Sequence, residues 1–115
     1  MAEDQLSPEL QQKIQTLQGL GAQLQSIGQQ RQQMEMLKSE TDRAKKALDA
    51  LDDDAVVYRN IGAFMVQEDR AKALQRLGDD QETLAIRVKR AADQEKQMQQ
   101  QFESLQDELQ KALGA

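Results

Sequence analysis

The chain has 115 residues, 38% of them hydrophobic, but with no Trp, one Tyr and two Phe the bulky fraction is too thin to fill a broad globular core. A narrow seam between two helices, which needs one apolar position every three or four residues, is within its means. Fifteen basic residues against 20 acidic ones give a formal net charge of -5, which argues against wrapping a nucleic-acid backbone.

Cysteine and histidine are both absent, so disulfide and thiol chemistry are excluded and a zinc site would have to be built from carboxylates alone. The acidic start Met1-Ala2-Glu3-Asp4 leads into no apolar run, so no secretory signal is expected. No apolar stretch reaches the roughly 18 residues of a membrane span, so the expectation is a soluble cytoplasmic protein with no membrane partner. Gln is the commonest residue, a good helix former without charge.

The first element expected is a helix over about 8–51. Ser7 can cap it, Pro8 occupies the first helical position, and Glu9 suits the positive end. Apolar residues then recur at Leu10, Ile14, Leu17, Leu20, Leu24, Ile27, Met34, Leu37, Ala44, Leu48 and Leu51, mostly three and four apart. Arg31 and Thr41 stand where this rhythm asks for an apolar residue. Gly19, Gly21 and Gly28 each cost up to about 1 kcal/mol against Ala in a helix interior, so this part is either merely loose or built to open. On the outer face Asp42 and Lys46 are spaced for an ion pair.

Asp52-Asp53-Asp54 ends the periodicity, three acids sitting badly at the negative end of a helix. Residues 55–67 have strand composition around a Gly: Val56, Val57, Tyr58 and Ile61, then Gly62-Ala63, then Phe64, Met65 and Val66. Gly62 at the first central position suits a type II′ turn, which sets Ile61 opposite Phe64 and Arg59 opposite Val66. A lone two-stranded hairpin is marginal in water and carries two open edges. Either it folds back over its own helices or several copies pair edge to edge into a shared sheet or barrel; the second is the reading taken here.

A second helix is expected over about 69–112, capped by Asp69. Leu74, Leu77, Gln81, Leu84, Val88, Ala91, Glu95, Met98, Phe102, Leu105, Leu109 and Ala112 alternate in steps of three and four, a sustained coiled-coil seam. Folding back at 52–67 makes the helices antiparallel and sets Leu48 near Leu74, Thr41 near Gln81, Met34 near Val88 and Leu17 near Leu105. Ile27 then faces Glu95 and Arg31 lies near Ala91. The polar seam residues either fix register or extend their stems over a partly wet seam. The fold class is thus all-α dominated: one domain over 1–115, a long antiparallel two-helix coiled coil with a central β-hairpin that joins an oligomeric β-barrel.

Catalysis needs a positioned nucleophile, base or metal, and a pair of bare helices offers no deep pocket for one. The acid run 52–54 reads as a solvated boundary, and no phosphate-cradling Gly-rich loop is present. The chain is expected not to be an enzyme and to carry no cofactor and no metal.

Asp53-Asp54-Ala55-Val56-Val57-Tyr58-Arg59-Asn60-Ile61-Gly62, followed by Phe64-Met65-Val66 and an acid–basic stretch entering the second helix, resembles the hairpin of prefoldin beta-type subunits of the archaeal kind. The resemblance covers nearly the full length. It implies a heterohexamer of two alpha-type and four beta-type subunits whose hairpins form a β-barrel platform. It also implies an ATP-independent holdase that captures non-native polypeptides at the distal coiled-coil ends and passes them to a group II chaperonin. Carried onto this chain, the assembly residues are Val56, Val57, Tyr58, Ile61, Gly62, Phe64, Met65 and Val66. The client-binding candidates are Leu6, Leu10, Ile14, Leu17, Leu105, Leu109 and Leu113. The rivals are a scaffolding coiled coil that binds no client and a nucleic-acid-associated helical protein.

Overall fold

The computed structural model describes residues 6–114. Helix α1 spans Pro8–Asp49, strand β1 Val57–Ile61, strand β2 Phe64–Glu68 and helix α2 Arg70–Gly114. Helix α1 begins where its signals put it: the Ser7 hydroxyl accepts a bond from the Leu10 N–H at 3.1 Å, satisfying one of the donors a helix leaves open at its start. It ends at Asp49, with Leu51 N–H turning back to the Leu48 carbonyl at 3.1 Å.

The strands pair antiparallel, Ile61 with Phe64, Arg59 with Val66 and Val57 with Glu68. Gly62 has φ +60, and Ala63 does not share the positive φ. A type I′ turn needs positive φ at both central residues, so the connection is of the II′ kind and the register follows the expected one.

The helices pack as two units, one made of the segments up to Arg31 and from Arg90 onward, the other of Gln32–Lys89. In the first, Lys13 meets Glu108, Gly21 faces Phe102 and Arg31 meets Glu95, so one helix rises as the other falls. Ala91 and Leu109 are buried there, and Leu10, Ile14, Leu17, Leu20, Leu24, Ile27, Met98, Phe102 and Leu105 are half-buried. Glu95, expected opposite Ile27, reaches one turn further to Arg31.

In the second unit Asp42 meets Gln81 and Lys45 lies over Gly78, again antiparallel. Thr41, Val57, Ala73, Leu77 and Leu84 are buried. The expected seam is corrected here. Leu37 (52% exposed), Ala44 and Leu51 lie outside it, and the inward line of α1 in this unit is instead Met34, Lys38, Thr41, Lys45 and Leu48, in alternating steps of four and three.

Two polar residues, Lys38 and Lys45, hide this line from a search for apolar ones, while Thr41 holds the seam position the rhythm gave it. Thr41 is buried because its hydroxyl donates back to the Leu37 carbonyl at 2.8 Å, leaving its methyl group for packing. Lys38 and Lys45 lend their aliphatic stems and carry their charges to Asp42 (3.2 Å) and Asp49 (3.5 Å) one turn on. The Lys45 stem lies over Gly78, where a Cβ would still sit at ordinary contact distance, 4.0 Å from Lys45 Cε. Asp42 is thereby engaged by Lys38 and Gln81, in place of the expected pair with Lys46.

Candidate functional site

Two exposed apolar surfaces stand out. The first is the hairpin. Phe64 is 75% exposed and Met65 69%, with Val56, Tyr58, Ile61 and Val66 all exposed as well. Large apolar groups on both faces of a two-stranded sheet, with neither outer edge paired, describe a surface shaped to be covered. Val57 differs from the rest of the expected assembly set: it is buried against its own chain and belongs to the root of the hairpin.

That root is held by charge. Arg76 grips Glu68, the last residue of β2, through two bonds of 3.2 and 3.0 Å, and Asp80 lies 3.9 Å from the same guanidinium. The Arg76 hydrogen bonds hold the Glu68 carboxyl below its ordinary range, and Glu68 in turn raises Arg76. Arg70 reaches three acceptors at once: the Leu48 carbonyl at 2.9 Å, the Asp49 carbonyl at 3.3 Å and the Asp53 carboxylate at 3.1 Å. The misfit noted at the acidic end of α1 is answered by a cation from the first residue of α2.

The second surface is an apolar groove where α1 begins and α2 ends, lined by Ile14, Leu17, Gln106, Leu109, Gln110, Leu113 and Gly114. Lys13 and Glu108, 2.5 Å apart, bridge the two helices close by, and this bond raises the Lys13 ammonium above its usual value. The structure sorts the seven client-binding candidates. Leu113 is 54% exposed, Leu109 is buried, and Leu6, Leu10, Ile14, Leu17 and Leu105 are half-buried. Four of the seven, Ile14, Leu17, Leu109 and Leu113, come together in the groove.

Among the described residues no group of three or more His, Cys, Asp or Glu is arranged to hold a metal, and Asp52, Asp53 and Asp54 all lie exposed. No described helix is long and apolar enough to cross a membrane. The sequence reading missed Arg70 and the Arg76–Glu68 fork, because both join residues that no local periodicity relates. A signal did exist: three acids after a helix end demand a cation, and Arg70 opens the next helix.

Comparison with known proteins places this geometry in context. The family model described as prefoldin subunit matches residues 11–115. The chain is 39% identical over 110 residues to prefoldin subunit beta of Methanothrix thermoacetophila, covering 96% of this chain and 92% of that protein. It is 36% identical over the same length to prefoldin subunit beta of Methanosarcina acetivorans, covering 96% and 94%. The crystal structure of the prefoldin beta subunit from Thermococcus strain KS-1 superposes with a TM-score of 0.82 at 32% identity, covering 93% of this chain and 94% of that one.

Proposed function

The chain belongs to the family of archaeal-type prefoldin beta subunits, and from that membership we propose how its two exposed surfaces divide the work of a non-catalytic, ATP-independent holdase. The groove of Ile14, Leu17, Leu109 and Leu113 takes hold of apolar segments of non-native polypeptides and releases them to a group II chaperonin. The hairpin joins the chain to its companions, and the work is done in the cytoplasm.

The observation that carries the capture reading is the exposure of an almost wholly apolar groove at the helix ends that do not join the hairpin. Weak, adaptable apolar contacts suit clients of no fixed sequence. Each contact contributes little, so useful affinity comes from several subunits acting on one client. For assembly, Tyr58, Ile61, Phe64, Met65 and Val66, with Val56 beside them and Gly62 at the turn, pair edge to edge with neighbouring hairpins. The complex is a heterohexamer of two alpha-type and four beta-type subunits arranged around a β-barrel. Nucleic acid and membrane are not partners in this reading.

The test is suppression of aggregation of a denatured enzyme by the chain with its alpha-type partner, in the absence of ATP. Protection is expected, and deletion of residues 1–17 together with 105–115 is expected to abolish it while the hexamer survives. Undiminished protection after that deletion overturns capture at the helix ends. A scaffolding coiled coil predicts the same hexamer without any protection.

A further inference from the structure

We propose that Arg70 is a positioning residue for assembly, fixing the direction in which the hairpin leaves the helices. The inference rests on the assembly reading above and adds to it a named determinant outside the hairpin.

The two ends of the hairpin are attached very differently. Only Asp69 separates β2 from α2, and the Ala73 N–H bonds to its carbonyl at 2.9 Å, so strand and helix are nearly continuous. Between α1 and β1 lie residues 50–56, a connector with one internal backbone bond, from Ala55 N–H to the Asp52 carbonyl at 3.0 Å. A connector of this kind does not by itself fix where α1 ends relative to the sheet.

The Arg70 fork supplies what the connector lacks. Two of its bonds go to the last carbonyls of α1, that of Leu48, which also accepts from the Leu51 N–H, and that of Asp49, and the third goes to Asp53 within the connector. The arginine is thus tied at once to α1, to the connector and, through its own backbone, to α2 and β2. Its side chain is only 15% exposed, whereas that of Asp53 is fully exposed. A planar donor with several N–H groups in fixed directions is the one side chain able to hold three acceptors in one arrangement; an ammonium is a point charge. Sheet edges that must meet neighbours around a closed ring tolerate little angular error, so a loose root weakens every edge contact.

Arg70→Gln keeps a polar side chain without the fork. The full chain carrying it, mixed with the alpha-type partner, is expected to retain helical circular dichroism. Its amides over 50–56 exchange faster, and its hexamer dissociates at a concentration about tenfold higher or more. Arg70→Lys is expected to recover only part of that loss; complete recovery overturns positioning in favour of simple charge compensation. Asp53→Asn alters a fully exposed side chain and leaves both carbonyl bonds in place, so folding is not at risk. It is expected to speed exchange over 50–56 and weaken assembly to a smaller degree.

Parent-like assembly of Arg70→Gln, or no change in either measurement for Asp53→Asn, overturns the proposal. Ile61→Asp with Phe64→Asp serves as the parallel control. If that pair still assembles, the hairpin reading itself has failed, whatever Arg70 does.

Discussion

Arg31 on α1 donates to the carboxylate of Glu95 on α2 across a mostly apolar seam, the two side chains being 24% and 29% exposed. Gly28 borders the pair: a Cβ there would lie 3.9 Å from Glu95 Oε1.

Glu95→Leu removes a charge-assisted bond that crosses the seam and is expected to cost about 1–2 kcal/mol. Arg31→Leu with Glu95→Leu is expected to recover that loss or exceed it, since apolar pairs of similar volume pack a seam at least as well. Urea unfolding of the two variants checks this, and a double variant less stable than the single one refutes it. Register specificity is where the ion pair contributes.

Glu68 makes the region around the hairpin acid-sensitive. Its folded carboxyl is held below the ordinary 4.5 by the Arg76 fork. The stabilisation is therefore complete above the unfolded value and disappears as pH falls from there through the depressed folded value. Melting temperature is expected to drop below about pH 4.5, and Glu68→Gln to show a lower but flatter profile over that range. Asp42, lowered chiefly by its bond from Gln81, adds to the same acid limb.

Glycines at 19 and 62 respond in opposite senses to alanine. Nothing lies within 4 Å of a Cβ at Gly19, so Gly19→Ala is expected to stabilise α1 by about 0.5–1 kcal/mol. Gly62 has positive φ, and Gly62→Ala is expected to cost about 1–2 kcal/mol in the turn despite equally open surroundings. Thermal melts of the two variants, with the assembled mass for the second, decide the matter.

Leu109 and Leu113 separate structure from capture. Leu109 is buried, and Leu109→Ala is expected to lower stability by about 2–3 kcal/mol. Leu113 is exposed at the rim of the same groove, so Leu113→Gln is expected to leave the melting transition unchanged and reduce protection of a denatured enzyme. Equal protection by Leu113→Gln and the parent removes Leu113 from the capture surface.

Ile61→Asp with Phe64→Asp places two carboxylates opposite each other on one face of the hairpin. Like charges on that face destabilise the strand pair and repel any neighbouring sheet. Sedimentation is expected to show a monomer, and the parent's mass refutes edge-to-edge assembly.

The helix start at Ser7-Pro8, the paired strands and the Gly62 turn were legible in the sequence because each depends on residues adjacent in the chain. The second half of the α1 seam was not. An apolar search follows Leu37, Ala44 and Leu51, whereas packing selects Lys38 and Lys45, which serve through their stems on either side of the expected Thr41. The contacts of Arg70 and Lys13 were harder to read because they join positions that only folding back sets side by side, although the acid run at 52–54 did ask for a cation. Arg76 reaches Glu68 across the β2–α2 junction, where no helical or strand period relates the two. Family likeness gave the hairpin as the expected assembly segment, but that Val57 belongs to the root and not to the open faces required the coordinates.

Among the described residues no large side chain is buried to below 2% exposure. The helix pair therefore has no single centre whose loss brings down the whole, and each level of the seam is closed by the few side chains facing one another there. Length becomes an adjustable dimension: adding or removing seven residues on both helices together lengthens or shortens the pair by about 10 Å without redesigning its interior. Selection can tune reach in such a molecule independently of fold.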